Sequence, residues 1–181
     1  MEHQKFDVAT LGNYTKDTIV TAAGTHHADG GGVNYSAHAA LALGRKVAAV
    51  MRLAAEDFHV VRDLEEAGIA VFATATPSST LMRLEYPTDN PDERILTVAD
   101  TAGSFTPEQV RNIDARAFII SPSIRGEFPV ETVRELHKKD AIISADAQGF
   151  IRVRHPDGSL EHLPWPEQEE VLALIDVLKA D

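Results

Sequence analysis

Three stretches of this sequence combine residue types and spacings able to do chemistry. The first is Asp29-Gly30-Gly31-Gly32, which runs directly into Val33-Asn34-Tyr35-Ser36-Ala37-His38-Ala39-Ala40-Leu41-Ala42-Leu43-Gly44. The glycines permit positive φ and close approach of a ligand to the backbone. The small, helix-forming residues after them predict a helix stopped at Gly44, with its first N–H groups aimed at a polar or anionic ligand. The second is Asp17, a carboxylate five residues beyond the glycine that ends the first apolar run; it either accepts ligand hydroxyls or caps a turn. The third is Asp146-Ala147-Gln148-Gly149-Phe150-Ile151-Arg152, an acid at a strand end with an arginine six residues on. Arg152 either faces a phosphate or pairs with one of the many acidic residues. His26, His27 and Asp29 invite a metal reading, but adjacent histidines on an extended segment point apart and no further ligand has metal spacing, so a solvated loop is expected.

The elements that must position these residues follow from the apolar pattern. Phe6 to Gly12 reads as a strand, followed by an Asn/Asp-containing turn into a β-branched strand that ends near Val20. Arg45–Leu53 reads as a strand buried on both faces, Glu56–Ala67 as a helix closed by Gly68, and Ile69–Phe72 as the start of another strand. Ser79–Tyr86 and Glu93–Val98 alternate and flank the turn Pro87–Asp92, which predicts an antiparallel pair outside the βα rhythm. On one of these strands Arg83 and Tyr86 are placed on one face and Leu84 on the other. Thr106-Pro107 opens a short helix, Ala117–Ile120 is a buried strand ending at Ser121-Pro122-Ser123, and Pro129 opens a further helix. Ala141–Asp146 is a strand, Glu167 to about Leu174 a helix, and Ile175–Lys179 a last strand. Strands alternating with helices predict an α/β fold with a largely parallel sheet. A dinucleotide site is not expected, because the position after the first strand carries Gly12-Asn13-Tyr14-Thr15-Lys16-Asp17 in place of the glycine fingerprint.

The 181 residues suit one domain, 1–181, with a sizeable core. A net charge of −11 argues against nucleic acid or an anionic membrane as the main partner. The absence of cysteine removes disulfides, thiolate metal sites and a cysteine nucleophile. No signal-type or membrane-length apolar run is present, so a cytoplasmic protein is expected.

The ordered set of features resembles the N-terminal half of ribokinase-like sugar kinases, the phosphofructokinase B family. Asp17 resembles the family's sugar-binding aspartate, and Gly30-Gly31 before a helix ending in Leu43-Gly44 resembles its first signature. The strands at about 13–22 and 77–100 resemble its β lid, Arg152 resembles a phosphate-side arginine, and 175–181 resembles a strand beside the nucleotide. The resemblance implies a central sheet flanked by helices with a small lid. It also implies phosphoryl transfer from ATP, with Mg²⁺, to a carbohydrate or polyol hydroxyl. Asp17, Gly30, Gly31 and either Asn34 or Tyr35 would hold the substrate, because the family's asparagine falls on Tyr35 with Asn34 one position earlier. Ser123 stands where a ribokinase carries a substrate-binding glutamate, which disfavours ribose. The family's Gly-Ala-Gly-Asp motif with the catalytic base is not in the sequence. No catalytic or metal residue is therefore assigned, the chain reads as a truncated substrate half, and alone it is expected to be inactive, with ATP binding in doubt. A homodimer through the lid strands is a further expectation. The alternative is a non-catalytic carbohydrate-binding or subunit-association module using the lid strands and an uncovered sheet edge.

Overall fold

Four apolar runs set the architecture: β1 (Phe6–Asn13), β4 (Val47–Ala54), β8 (Ala115–Ile120) and β9 (Ile142–Asp146). In the computed structural model, which describes residues 5–90 and 92–180, they form a parallel sheet with β5 (Ala70–Thr76) and β12 (Val177–Lys179), in the order β12-β9-β8-β1-β4-β5. All five pairings are parallel. Pro91 of the predicted turn and Asp181 of the last predicted segment lie outside the described residues.

The period-two alternation of a strand buried on both faces is explicit in β4. Ala48 and Val50 join one core with Leu11, Phe118 and Phe150, while Val47, Ala49, Met51 and Leu53 join the other with Tyr14 and Val33. Helix α1 (Gly32–Ala42) packs its small face, Val33, Ala37 and Ala40, on β1 and β4. Helix α2 (His59–Glu66) buries Val60, Val61 and Leu64 in the same core. On the opposite face, α3 (Pro107–Arg111), α4 (Val130–His137) and α6 (Gln168–Leu172) contribute Val110, Val133, Leu136 and Val171. α3 starts in a capping box of Thr106 and Gln109 behind Pro107, as its sequence predicts.

A second sheet of four strands stands apart from this frame: β2 (Thr15–Thr21), β3 (Gly24–Gly30), β6 (Thr80–Glu85) and β7 (Ile95–Asp100), in the order β3-β2-β6-β7. β6 and β7 are the antiparallel pair expected from their alternation, and β2 joins them by parallel pairing with β6. β3 corrects the expected loop: His26 and His27 are on an exposed edge strand paired with β2, and His27 Nδ1 is 3.2 Å from Thr18 Oγ1. Few apolar residues alternate in Gly24–Gly30, because the backbone pairing of an edge strand demands no buried face. Period two also reassigns Arg83. It is on the face of Glu85, to which it donates at 3.3 Å, while Leu84 shares its face with Met82. Helix α5 (Gln148–Ile151) and the hairpin β10 (Arg152–Arg154) and β11 (Leu160–His162) were not foreseen in the alternation.

Two polar networks fasten the small sheet to the turn after β4. Lys16 Nζ meets Asp57 Oδ1 at 2.8 Å, Ser79 Oγ donates to Asp57 Oδ2 at 2.6 Å, and Ala54 N–H donates to Ser79 Oγ at 2.9 Å. Tyr14 OH donates to Asp29 Oδ1 at 2.5 Å, and His59 Nε2 is 3.4 Å from the same oxygen. Burial would raise the Asp57 carboxyl, but the Lys16 and Ser79 hydrogen bonds outweigh it and hold it below the ordinary aspartate range. A depressed carboxyl contributes stability that is present above its unfolded value and lost as pH falls through the folded one. Asp57→Ala is expected to cost about 2 kcal/mol, since Ser79 loses its acceptor while half-exposed Lys16 returns to water. Urea titration checks the value, and the mutant should also lose part of the wild-type fall in stability on acidification.

Candidate functional site

Strand order reverses at β1: the chain adds β4 and β5 on one side and β8, β9 and β12 on the other. Ligand crevices in parallel sheets open at such switch points, beyond the carboxyl ends of the strands. A cleft of about 460 Å³ is found there. Its floor is the carboxyl ends of three strands: Ile119 and Ile120 of β8 with Ser121 after them, Ser144 to Asp146 of β9, and Lys179 of β12. Gly31, Gly32, Tyr35 and Ser36 at the start of α1 form one wall. The inward face of the small sheet, Thr15, Asp17, Met82, Leu84 and Leu96, covers it.

Asp17 is 7% exposed, and its Oδ1 has no hydrogen-bond partner. Burial is the largest influence and raises its carboxyl above the ordinary value. The Thr15 hydrogen bond opposes this, and the Asp29 charge adds to it. A largely buried carboxylate on the cleft lining with incomplete hydrogen bonding is suited to accept a ligand's hydroxyls. Gly30 makes room for it, because a Cβ there would overlap the Asp17 carboxylate and Thr15 Oγ1. Of the three glycines, positive φ is confined to Gly31 (φ 97), the residue before α1, where a Cβ would also meet the Asn13 carbonyl oxygen at 2.6 Å. Gly30 and Gly32 serve close approach instead, the latter against Ser121.

The lining also carries three cations. Arg152 is 9% exposed, with Nη1 donating to Ser123 O at 3.1 Å and Nη2 to Gln148 Oε1 at 3.2 Å. Lys179 Nζ is 3.1 Å from Asp146 Oδ2, and exposed Arg94 is the third. Among the described residues no group of three or more His, Cys, Asp or Glu is set to hold a metal ion.

The structure thus brings Asp17, Gly31, Tyr35 and Arg152 to one cleft, with Gly30 directly behind Asp17. Asn34 is not on the cleft lining; its Nδ2 donates to Asp29 O at 3.2 Å. Tyr35, 62% exposed, is on the cleft wall. Sequence reasoning missed Arg94, Ser121 and the apolar cover from Met82, Leu84 and Leu96. Ser121 was findable as the first polar residue after a buried strand, and the cover from the parity of β6. Arg94 carries no comparable signal.

Among solved structures, the chain is similar to a pyrophosphate-dependent kinase in the ribokinase family complexed with a pyrophosphate analog and myo-inositol. The TM-score is 0.87 at 29% identity, over 96% of this chain and 61% of that one. A sulfate-complex structure of a pyrophosphate-dependent kinase in the ribokinase family matches with a TM-score of 0.87 at 30% identity, over 94% and 60% of the two chains. Arabidopsis thaliana ribokinase complexed with ribose and ATP shares the fold alone, with a TM-score of 0.66 at 16% identity over 98% and 60%. No family model and no curated protein matches the sequence. The chain spans about 60% of the length of these structures. Its central parallel sheet, flanking helices and small second sheet are the ribokinase-like fold, and its structural neighbours are the kinases that share it.

Proposed function

We propose that this chain forms the acceptor-binding part of a carbohydrate or polyol kinase of the ribokinase-like family. The carrying observation is the cleft itself, whose lining combines a buried, under-bonded carboxylate, Asp17, with the cations Arg94, Arg152 and Lys179. Asp17 accepts hydrogen bonds from neighbouring hydroxyls of the acceptor, Gly31 and Gly32 let it approach the backbone, and Tyr35 bounds it. The small sheet acts as the lid, and its exposed edge strand β3 is the pairing surface for a homodimer. Arg152 faces the transferred phosphoryl group, where phosphoryl transfer relies on positioning and charge stabilisation. The polyol reading draws on the myo-inositol-bound neighbour.

A polyphosphate fits these cations on charge. The donor is ATP in the reading from the family, and pyrophosphate is the alternative raised by the two neighbours of higher identity. The described residues offer no carboxylate cluster for Mg²⁺. The chain alone binds acceptor without turnover in this reading, since no residue of it is assigned as the base. Calorimetric titration with myo-inositol, other polyols and sugars, followed by ³¹P NMR with Mg·ATP or pyrophosphate, tests it. Acceptor binding without transfer is expected. Absence of binding by every polyol and sugar would overturn it.

A further inference from the structure

Glu127 is a fully buried acid that the proposed chemistry does not use. It is 2% exposed. Oε2 accepts the Ser123 N–H at 2.6 Å, whereas Oε1 is buried with no hydrogen-bond partner. Ser123 lines the cleft, and its carbonyl accepts from Arg152 Nη1 at 3.1 Å. One residue of the cleft lip is therefore gripped from behind by the buried acid and from in front by the phosphate-side arginine.

The groups acting on Glu127 are Asn13 at the end of β1, Arg52 on β4, Arg152 on β10 and the backbone of Ser123 and Ile124. The Arg152 charge and the hydrogen bonds favour the anion, but burial outweighs them and pushes the Glu127 carboxyl from 4.5 up to about 7. The Asn13 amide is also engaged elsewhere, its Nδ2 donating to Gly103 O at 2.9 Å.

We propose that Glu127 is a positioning residue that carries a proton on Oε1, and that in this neutral form it leaves Arg152 in its anion-binding pose against the Ser123 carbonyl. Loss of the proton puts an anion in a dry site, tightens the Ser123 N–H bond and draws Arg152 electrostatically away from that pose. The sign follows from the raised value: the folded chain holds a proton that the unfolded chain releases, so stability from this group is full at low pH and falls as pH rises through about 7.

The test uses the whole chain with sulfate, whose charge is constant over the range, at about pH 6 and about pH 8. Wild-type sulfate affinity is expected to fall roughly 10-fold between them. Glu127→Gln, which keeps the neutral shape, should hold the low-pH affinity at both values; Glu127→Ala should bind weakly at both. Independently of any ligand, the melting temperature of the wild type should fall with pH relative to Glu127→Gln, and an infrared carboxylic-acid band present in the wild type near neutral pH should vanish in Glu127→Gln. An identical pH slope in wild type and Glu127→Gln, or no such band, would overturn the proposal. Failure of sulfate to bind at all would count against the phosphate-side reading of Arg152, while the melting and infrared results still decide the state of Glu127.

Discussion

Asp17→Ala is expected to remove polyol binding while leaving the fold intact. Each hydroxyl donating to a carboxylate is worth about 1.5–3 kcal/mol, so losing two such bonds weakens binding by about 100-fold or more. The fold should not suffer, because burial of this carboxylate is incompletely compensated: Oδ1 has no partner, and the group is pushed toward its neutral form. Asp17→Asn separates the two effects. It keeps the shape, removes the buried charge, and should melt at the wild-type temperature or above it while binding polyols poorly. Such opposition of stability and function is what a site prepared for a ligand costs its own fold. Unchanged polyol affinity in both variants, measured by calorimetry, would remove Asp17 from the site.

The largest loss of stability is expected at Gly149→Ala. Gly149 is buried in the single turn of α5, and an added Cβ would overlap the ring and carbonyl oxygen of Pro122. Neither partner is the end of a flexible side chain, so the Ser121-Pro122-Ser123 lip must move. A cost of about 3 kcal/mol follows, which for a chain of this size lowers the melting temperature by roughly 6–12 °C. Because that lip borders the cleft, the variant should also bind sulfate and polyols more weakly at temperatures where it remains folded. A melting temperature within a degree or so of wild type would show that the contact relaxes without cost.

These two sites differ in how far the sequence reveals them. The place of Asp17 beside a cleft was expected from the family resemblance, since the residues alone left a turn cap open, and Gly31 was legible because a glycine run before small helix-forming residues sets a helix entry. The parallel sheet was legible in the double-sided apolar runs of β4, β8 and β9, whose burial demands an unbroken pattern. What the sequence hid depends on contacts distant along the chain. β3 owes its extended form to backbone pairing with β2, which leaves no periodic trace in Gly24–Gly30. Which of Asn34 and Tyr35 reaches the cleft wall was left open by the sequence because it depends on the helical phase of α1 relative to β1; Tyr35 lines the wall, and Asn34 is turned back to Asp29 by one side-chain hydrogen bond. Glu127 had no signal at all, since an acid between Gly126 and Phe128 reads as a surface loop until packing closes over it. Gly149 is the same case: its need for a missing Cβ exists only because Pro122 arrives from another strand end.

The measurement closest to the central claim is a residue-by-residue map of polyol binding by amide NMR on the 181-residue chain titrated with myo-inositol. Saturable shifts are expected at Asp17, Gly31, Gly32, Tyr35, Ser121 and Ser123, together with their loss in Asp17→Ala. Shifts centred elsewhere, or a map unchanged by Asp17→Ala, would contradict that claim.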